Sequence, residues 1–123
     1  MQKEPKKILV VDDEQSILAF LRDLLEEEGY SVVATGDGEY LERLQIYDLP
    51  DLILLDILLS GKDGRELVRS LKAQKETEKI PVIMISAHPT ARESALAAGA
   101  DLFLAKPFDL TNLLDKIEQV VST

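Results

Sequence analysis

The chain has no cysteine, which excludes disulfides and thiolate metal sites and fits a reducing compartment. No apolar run approaches the roughly 18 residues of a membrane-spanning helix, and the amino terminus, MQKEPKK, has no apolar signal-peptide core. These absences predict a soluble protein of the cytoplasm with no membrane partner. Positive charge is also scarce: 14 Lys and Arg stand against 23 Asp and Glu, for a formal net charge of -9. Such an acidic chain is a poor match for a nucleic-acid backbone and a better one for magnesium or a basic protein surface. No glycine-rich phosphate loop follows the first apolar run, which argues against flavin or dinucleotide binding. Apolar material, in contrast, is plentiful. Hydrophobic residues make up 46% of the 123, enough for one core in one domain.

The apolar residues come in short runs that end in polar groups. Ile8-Leu9-Val10-Val11 ends in Asp12-Asp13-Glu14, Leu52 to Leu55 ends in Asp56, and Pro81 to Ile85 ends in Ser86. Ser31 to Thr35 and Asp101 to Ala105 read as two further strands, the second delivering Lys106-Pro107. Uninterrupted runs of this length, bounded by turn residues, predict strands buried on both faces of a parallel sheet. Helical stretches lie between them. Ile17, Leu18, Leu21, Leu24 and Leu25 mark one helix face up to Gly29, Gly36 to Gly38 turns into a shorter stretch with Leu41 and Leu44, and Gly64 to Gln74 shows Leu67, Val68 and Leu71. Thr90 and Glu93 fit a capping box for a short alanine-rich helix ending before Gly99. Asp109 and Phe108 fit a cap and a staple onto Leu113 for the last helix. Residues 1–7 are expected to form a short frayed arm ahead of a single domain over 8–121, with no output domain in the chain.

Five alternating strand-helix units with short connections predict an α/β fold. It is a doubly wound five-stranded parallel sheet of order 2-1-3-4-5, helices on both faces, in the flavodoxin-like (βα)5 arrangement. Ligands of such a sheet sit outside the carboxyl ends of the strands where the order reverses, here between strands one and three. Asp12, Asp13 and Asp56 converge there, with Ser86 and Lys106 arriving from neighbouring strand ends. Three crowded carboxylates repel one another and invite a divalent cation, for which oxygen ligands suit magnesium. Lys106 adds a second positive charge. Together they neutralise an incoming phosphoryl group and steer it to a carboxylate nucleophile, with Ser86 able to donate a hydrogen bond to a phosphoryl oxygen.

In combination, Asp12-Asp13 after the first strand, Asp56 after the third, Ser86 after the fourth and GADLFLAKPF from Gly99 to Phe108 resemble a response-regulator receiver domain, the phosphoryl-accepting half of a two-component relay. The resemblance covers nearly the whole chain. It implies a phosphorylation-dependent switch and not an enzyme, beyond catalysis of its own phosphorylation and dephosphorylation. Asp56 is then the phosphoacceptor, served by the phosphohistidine of a sensor histidine kinase or histidine phosphotransfer protein, or by acetyl phosphate. Asp13 would ligate Mg2+ directly and Asp12 largely through water, with Asp56 and the backbone carbonyl of Leu58 completing the protein ligands. Lys106 would pair with the acceptor carboxylate, and its bond to Pro107 would be cis. Ser86 and Phe103 would be the switch pair that alters the surface offered to a downstream protein target.

The chain departs from the family pattern in three places. Ser60 stands where the family usually has proline, which implies a less rigid loop after Asp56. The span from Ser86 to Gly99 is shorter than usual, which shortens the helix there and disfavours the family's common pairing through that region. Leu58 and His88 occupy the positions that tune dephosphorylation, and apolar Leu58 implies slow hydrolysis. Plainer readings stand beside these roles: Asp12-Asp13 as acidity at a helix start, Ser86 as a strand-end hydroxyl, Lys106 as a surface group, Phe103 as core packing, His88 as a solvent-facing loop residue. A receiver-like interaction module working without phosphorylation is the alternative function. A phosphatase of the haloacid dehalogenase type also uses a strand-end aspartate, but it spaces its two acids by one residue, whereas Asp12 and Asp13 are adjacent.

Overall fold

Five strands of alternating inward character form one parallel sheet: β1 (Lys7–Val11), β2 (Ser31–Thr35), β3 (Leu52–Asp56), β4 (Val82–Ser86) and β5 (Leu102–Ala105). The computed structural model describes residues 4–59 and 61–121, so Ser60 and the first three residues of the expected arm lie outside the described residues. Sheet order is β2-β1-β3-β4-β5, as the strand-helix alternation predicts. Lys7 belongs to the sheet and not to the arm. Its N–H donates to Asp51 Oδ2 at 2.8 Å, and its ammonium lies 2.8 Å from Asp48 Oδ1.

Because side chains alternate along a strand, each strand feeds two cores. Leu9, Val11, Ile53, Leu55, Val82, Met84 and Phe103 face one side, where α2 (Gly64–Ala73) contributes Leu67, Val68 and Leu71 and α3 (Arg92–Ala98) contributes Ala95. Ile8, Val10, Leu52, Leu54, Ile83, Ile85 and Leu104 face the other, under α1 (Gln15–Glu27) and α4 (Leu110–Val121). All five residues of β3 and of β4 are buried, which explains why those segments read as unbroken apolar runs. Gly29, at φ +96°, ends α1: its N–H donates to Glu26 O at 3.0 Å and the Tyr30 N–H to Leu25 O at 3.1 Å, the paired bonds of a Schellman stop.

Two expectations change. The stretch after Gly38 is not an α-helix but a 3₁₀ segment over Gly38–Arg43, followed by another over Ile46–Asp48. Its apolar positions, Leu41 and Leu44, are three apart with nothing to extend the stripe, and that spacing suits three residues per turn. Thr90 does not cap α3. Pro89 starts a 3₁₀ turn over Pro89–Ala91, so the α-helix begins at Arg92 with Ala91 in the cap position and no side-chain cap bond. The sheet-to-helix return after Asp56 closes in a short ladder: Leu58–Leu59 pairs antiparallel with Lys62–Asp63, and the Asp63 carboxylate caps α2 by accepting from the Arg65 N–H at 2.9 Å.

Asp109 caps α4 as its place before the apolar stripe predicts, accepting from the Thr111 N–H at 2.9 Å, and Phe108 packs on the core that holds Leu113. Replacing Asp109 by alanine leaves that donor unmet and is expected to lower the unfolding free energy by about 1 kcal/mol, whereas Asp109→Asn keeps an acceptor and costs a few tenths. Urea denaturation of the two variants beside wild type checks the contrast.

Candidate functional site

The sheet order reverses between β1 and β3, and the residues leaving their carboxyl ends meet there. Asp12 follows β1 directly; its N–H donates to Thr35 O at 3.1 Å, and its Oδ1 accepts the Glu14 N–H at 2.9 Å, turning the chain into α1. Asp56 is the last residue of β3, its Oδ1 taking a long bond of 3.4 Å from the Leu58 N–H. Lys106 leaves β5 with its N–H on Ser86 O at 2.7 Å, and the peptide bond to Pro107 is cis.

Ligand oxygens of Asp12, Asp13 and Asp56 all lie within 4.8 Å of one another. Lys106 Nζ reaches into this cluster, 2.9 Å from Asp12 Oδ2, 3.5 Å from Asp56 Oδ2 and 3.6 Å from Glu14 Oε1. It therefore pairs with three carboxylates and sits nearest Asp12, which is buried more deeply than Asp56, at 2% exposure against 8%. Burial pushes the Asp56 carboxyl above its ordinary pKa and the Asp12 charge pushes it further, while Lys106 and the Leu58 N–H pull the other way. For Lys106, burial works against the charged form, yet the hydrogen bond and charge of Asp12, joined by Asp56 and Glu14, hold its pKa above the usual value. The donor set is all oxygen, buried on the Asp12 and Asp56 side and exposed at Asp13. That combination fits a hard divalent cation that keeps part of its water.

Around the cluster, Ser86 is buried, on the same face of the sheet as Met84 and Phe103, and its Oγ accepts the His88 N–H at 3.0 Å. Phe103 is already packed inside at 6% exposure, and His88 is exposed. Leu58 stands at the mouth with 55% of its surface open. Gly64 has a reason beyond its turn: a Cβ there would lie 2.6 Å from Asp56 O and 3.0 Å from Ile57 O, and its N–H donates to Ile57 O at 2.6 Å.

Sequence reading misses two features of this pole. Glu14 completes the ring of acids around Lys106. Beside it an open apolar groove of about 590 Å³ is lined by Ile17, Phe20, Lys106, Pro107, Phe108 and Leu110, with Phe20 half exposed. The available signal is Phe20 itself, an aromatic that falls off the buried stripe of α1.

A doubly wound parallel sheet whose strand tips gather three acids and a lysine at the reversal point defines the receiver class of signalling domain. The chain belongs to that family: the model of the response regulator receiver domain matches residues 8–118. The phosphate regulon transcriptional regulatory protein PhoB of Rhizobium meliloti (strain 1021) is 41% identical over 118 residues, covering 94% of this chain and 52% of PhoB. The chain spans about half the length of the curated relatives it matches. Among solved structures, the signal receiver domain of a signal transduction histidine kinase from Syntrophus aciditrophicus superposes with a TM-score of 0.86 at 33% identity, covering 95% of this chain and 90% of that one. The response regulator protein TrrA from Thermotoga maritima, solved in complex with Mg(2+)-BeF, superposes with a TM-score of 0.83 at 31% identity, covering 94% and 98%. Among the described residues no helix is long and apolar enough to cross a membrane.

The raised pKa of Asp56 carries a stability consequence. A carboxyl whose folded pKa lies above its unfolded value binds its proton more tightly when native, so its contribution to stability falls as pH rises through that window. At neutral pH the charged Asp56 is a net cost. Asp56→Asn is expected to raise the unfolding free energy in metal-free buffer at pH 7 by on the order of 1 kcal/mol. The gain shrinks as acidification carries wild type down through the raised pKa, and urea titrations across a pH series measure it.

Proposed function

We propose that this chain is a phosphorylation-dependent switch in which Asp56 accepts a phosphoryl group from the phosphohistidine of a sensor histidine kinase or histidine phosphotransfer protein. The observation that carries the reading is the Asp12-Asp13-Asp56 cluster with Lys106 Nζ inside it, at the sheet's reversal point. One Asp56 oxygen attacks phosphorus as the N–P bond breaks, and the electron pair of that bond returns to the imidazole ring. Asp13, Asp56 and the Leu58 carbonyl would hold Mg2+, with Asp12 acting largely through water. When bound, the ion supplies positive charge that lets the phosphoryl group and the carboxylate approach. Lys106, held 3.5 Å from Asp56, is placed to shift its ammonium from Asp12 to the phosphoryl oxygens. Ser86 can exchange its bond with the His88 N–H for one to a phosphoryl oxygen. Phe103 is already inside, on the same face of the sheet as Ser86, so the movement falls on Ser86 and the loop after it. The changed surface is what a downstream protein target reads.

The apolar groove is continuous with the site, because Lys106 is part of its wall. Its occupant is the phosphohistidine-bearing partner, whose apolar side chains cover Phe20 and Leu110 while the imidazole reaches Asp56.

With magnesium and acetyl phosphate, wild type should gain the mass of one phosphoryl group and Asp56→Asn should not. Beryllofluoride with magnesium should perturb the wild-type NMR spectrum alone. No change in wild type under either condition identifies the chain as an interaction module that works without phosphorylation. For the groove, Phe20→Ala should lower the rate of phosphotransfer from a phosphorylated kinase, relative to the rate with acetyl phosphate, by about tenfold. An unchanged ratio would place the partner elsewhere.

A further inference from the structure

Arg65 lies outside the carboxylate cluster but ties together two segments that frame it. Its Nε and Nη2 donate to Asp63 Oδ1 and Oδ2 at 2.9 and 2.8 Å, and its backbone N–H donates to the same Oδ1 at 2.9 Å. The remaining arm, Nη1, crosses to Ser94 Oγ at 3.1 Å, and that hydroxyl donates to Ala91 O at 3.0 Å. Each end is anchored to the site. Asp63 pairs with Leu58 in the short ladder that closes the loop leaving Asp56, and the next residue, Gly64, is bound to Ile57 O. Ala91 and Ser94 end the segment that leaves Ser86, and the Ala91 N–H donates to His88 O at 3.0 Å. One planar guanidinium thus spans from the loop carrying Leu58 to the segment carrying Ser86. Two of its nitrogens lock onto a carboxylate while the third points elsewhere, a geometry an ammonium cannot reproduce.

We propose that Arg65 is a positioning residue for the Asp56 site, a clamp that makes the acceptor loop and the Ser86 segment move as one body. The inference rests on the phosphoacceptor reading of Asp56 and deepens it. Its physical basis is preorganisation: groups that must converge on one phosphoryl oxygen set lose less freedom on binding when they are already tied to each other. The clamp also differs from an ordinary surface ion pair, since Arg65 and Asp63 are both half-buried and the guanidinium makes bonds in two directions.

The test is the affinity for beryllofluoride at fixed magnesium, read by NMR on wild type, Arg65→Gln, Arg65→Lys, Ser94→Ala and the Arg65→Gln/Ser94→Ala pair. Arg65→Gln is expected to weaken binding about tenfold, the size seen when groups behind a ligand shell are removed. Arg65→Lys should follow it, because charge is kept and the fork lost. Ser94→Ala should weaken binding about threefold, and the pair no more than Arg65→Gln alone, since both changes cut one connection. A purely structural arginine would lower the denaturation midpoint and leave these affinities alone. Variants that all bind within about twofold of a binding wild type overturn the clamp. If wild type itself does not bind, the phosphoacceptor reading has failed, and amide hydrogen exchange decides the clamp instead. Faster exchange at Leu58 in Ser94→Ala supports it, and unchanged exchange overturns it.

Discussion

Asp12 and Asp56 are two carboxylates brought out of water within reach of each other at the end of an apolar sheet, where mutual repulsion and lost hydration both work against their charge. A single ammonium, Lys106, is shared between them. Much of the local structure follows from keeping that arrangement. The Lys106 backbone is tied to Ser86 O so that the side chain arrives from β5, Asp12 is fixed by its own turn into α1, and the loop after Asp56 is folded back so closely that Gly64 has no room for a side chain. Asp13, exposed at the rim, leaves an open approach for a cation.

The sheet makes this possible because its centre is rigid on both sides. Each buried strand residue serves one of two cores, so a slip of one residue would exchange every inward side chain with the opposite face. The strand tips are therefore held in fixed register, and tip residues from β1, β3, β4 and β5 meet through the contacts of Lys106 with Asp12, Asp56 and Ser86. Less regular geometry falls in the connections: the 3₁₀ segments after β2, the 3₁₀ turn before α3, and the ladder after Asp56.

Where each signal lies in the chain decides what the sequence could reveal. Runs such as Leu52 to Leu55 and Val82 to Ile85 announce strands because two-sided burial demands unbroken apolar residues, and the polar residue after each run marks a tip. Strand order then brings Asp12, Asp13, Asp56, Ser86 and Lys106 to one pole. Thr90 was misleading because a capping pattern is local, whereas Pro89 had already committed the backbone to a tighter turn. The division of Lys106 between Asp12 and Asp56 depends on comparative burial, which no spacing rule contains. Arg65 and Ser94 are 29 residues apart on different helices, and neither carries a pattern that anticipates the other. Phe20 was visible only as an aromatic out of step with its helix.

The crowded acids give the domain something like a sprung catch. A divalent cation that relieved their repulsion would bind the folded cluster in preference to the unfolded chain, and so would deepen the native well by mass action. Occupancy of the site and resistance to unfolding then become a single variable. A cation-loaded molecule would then be the one that opens least often to a protease, and the unoccupied population the one that turns over first.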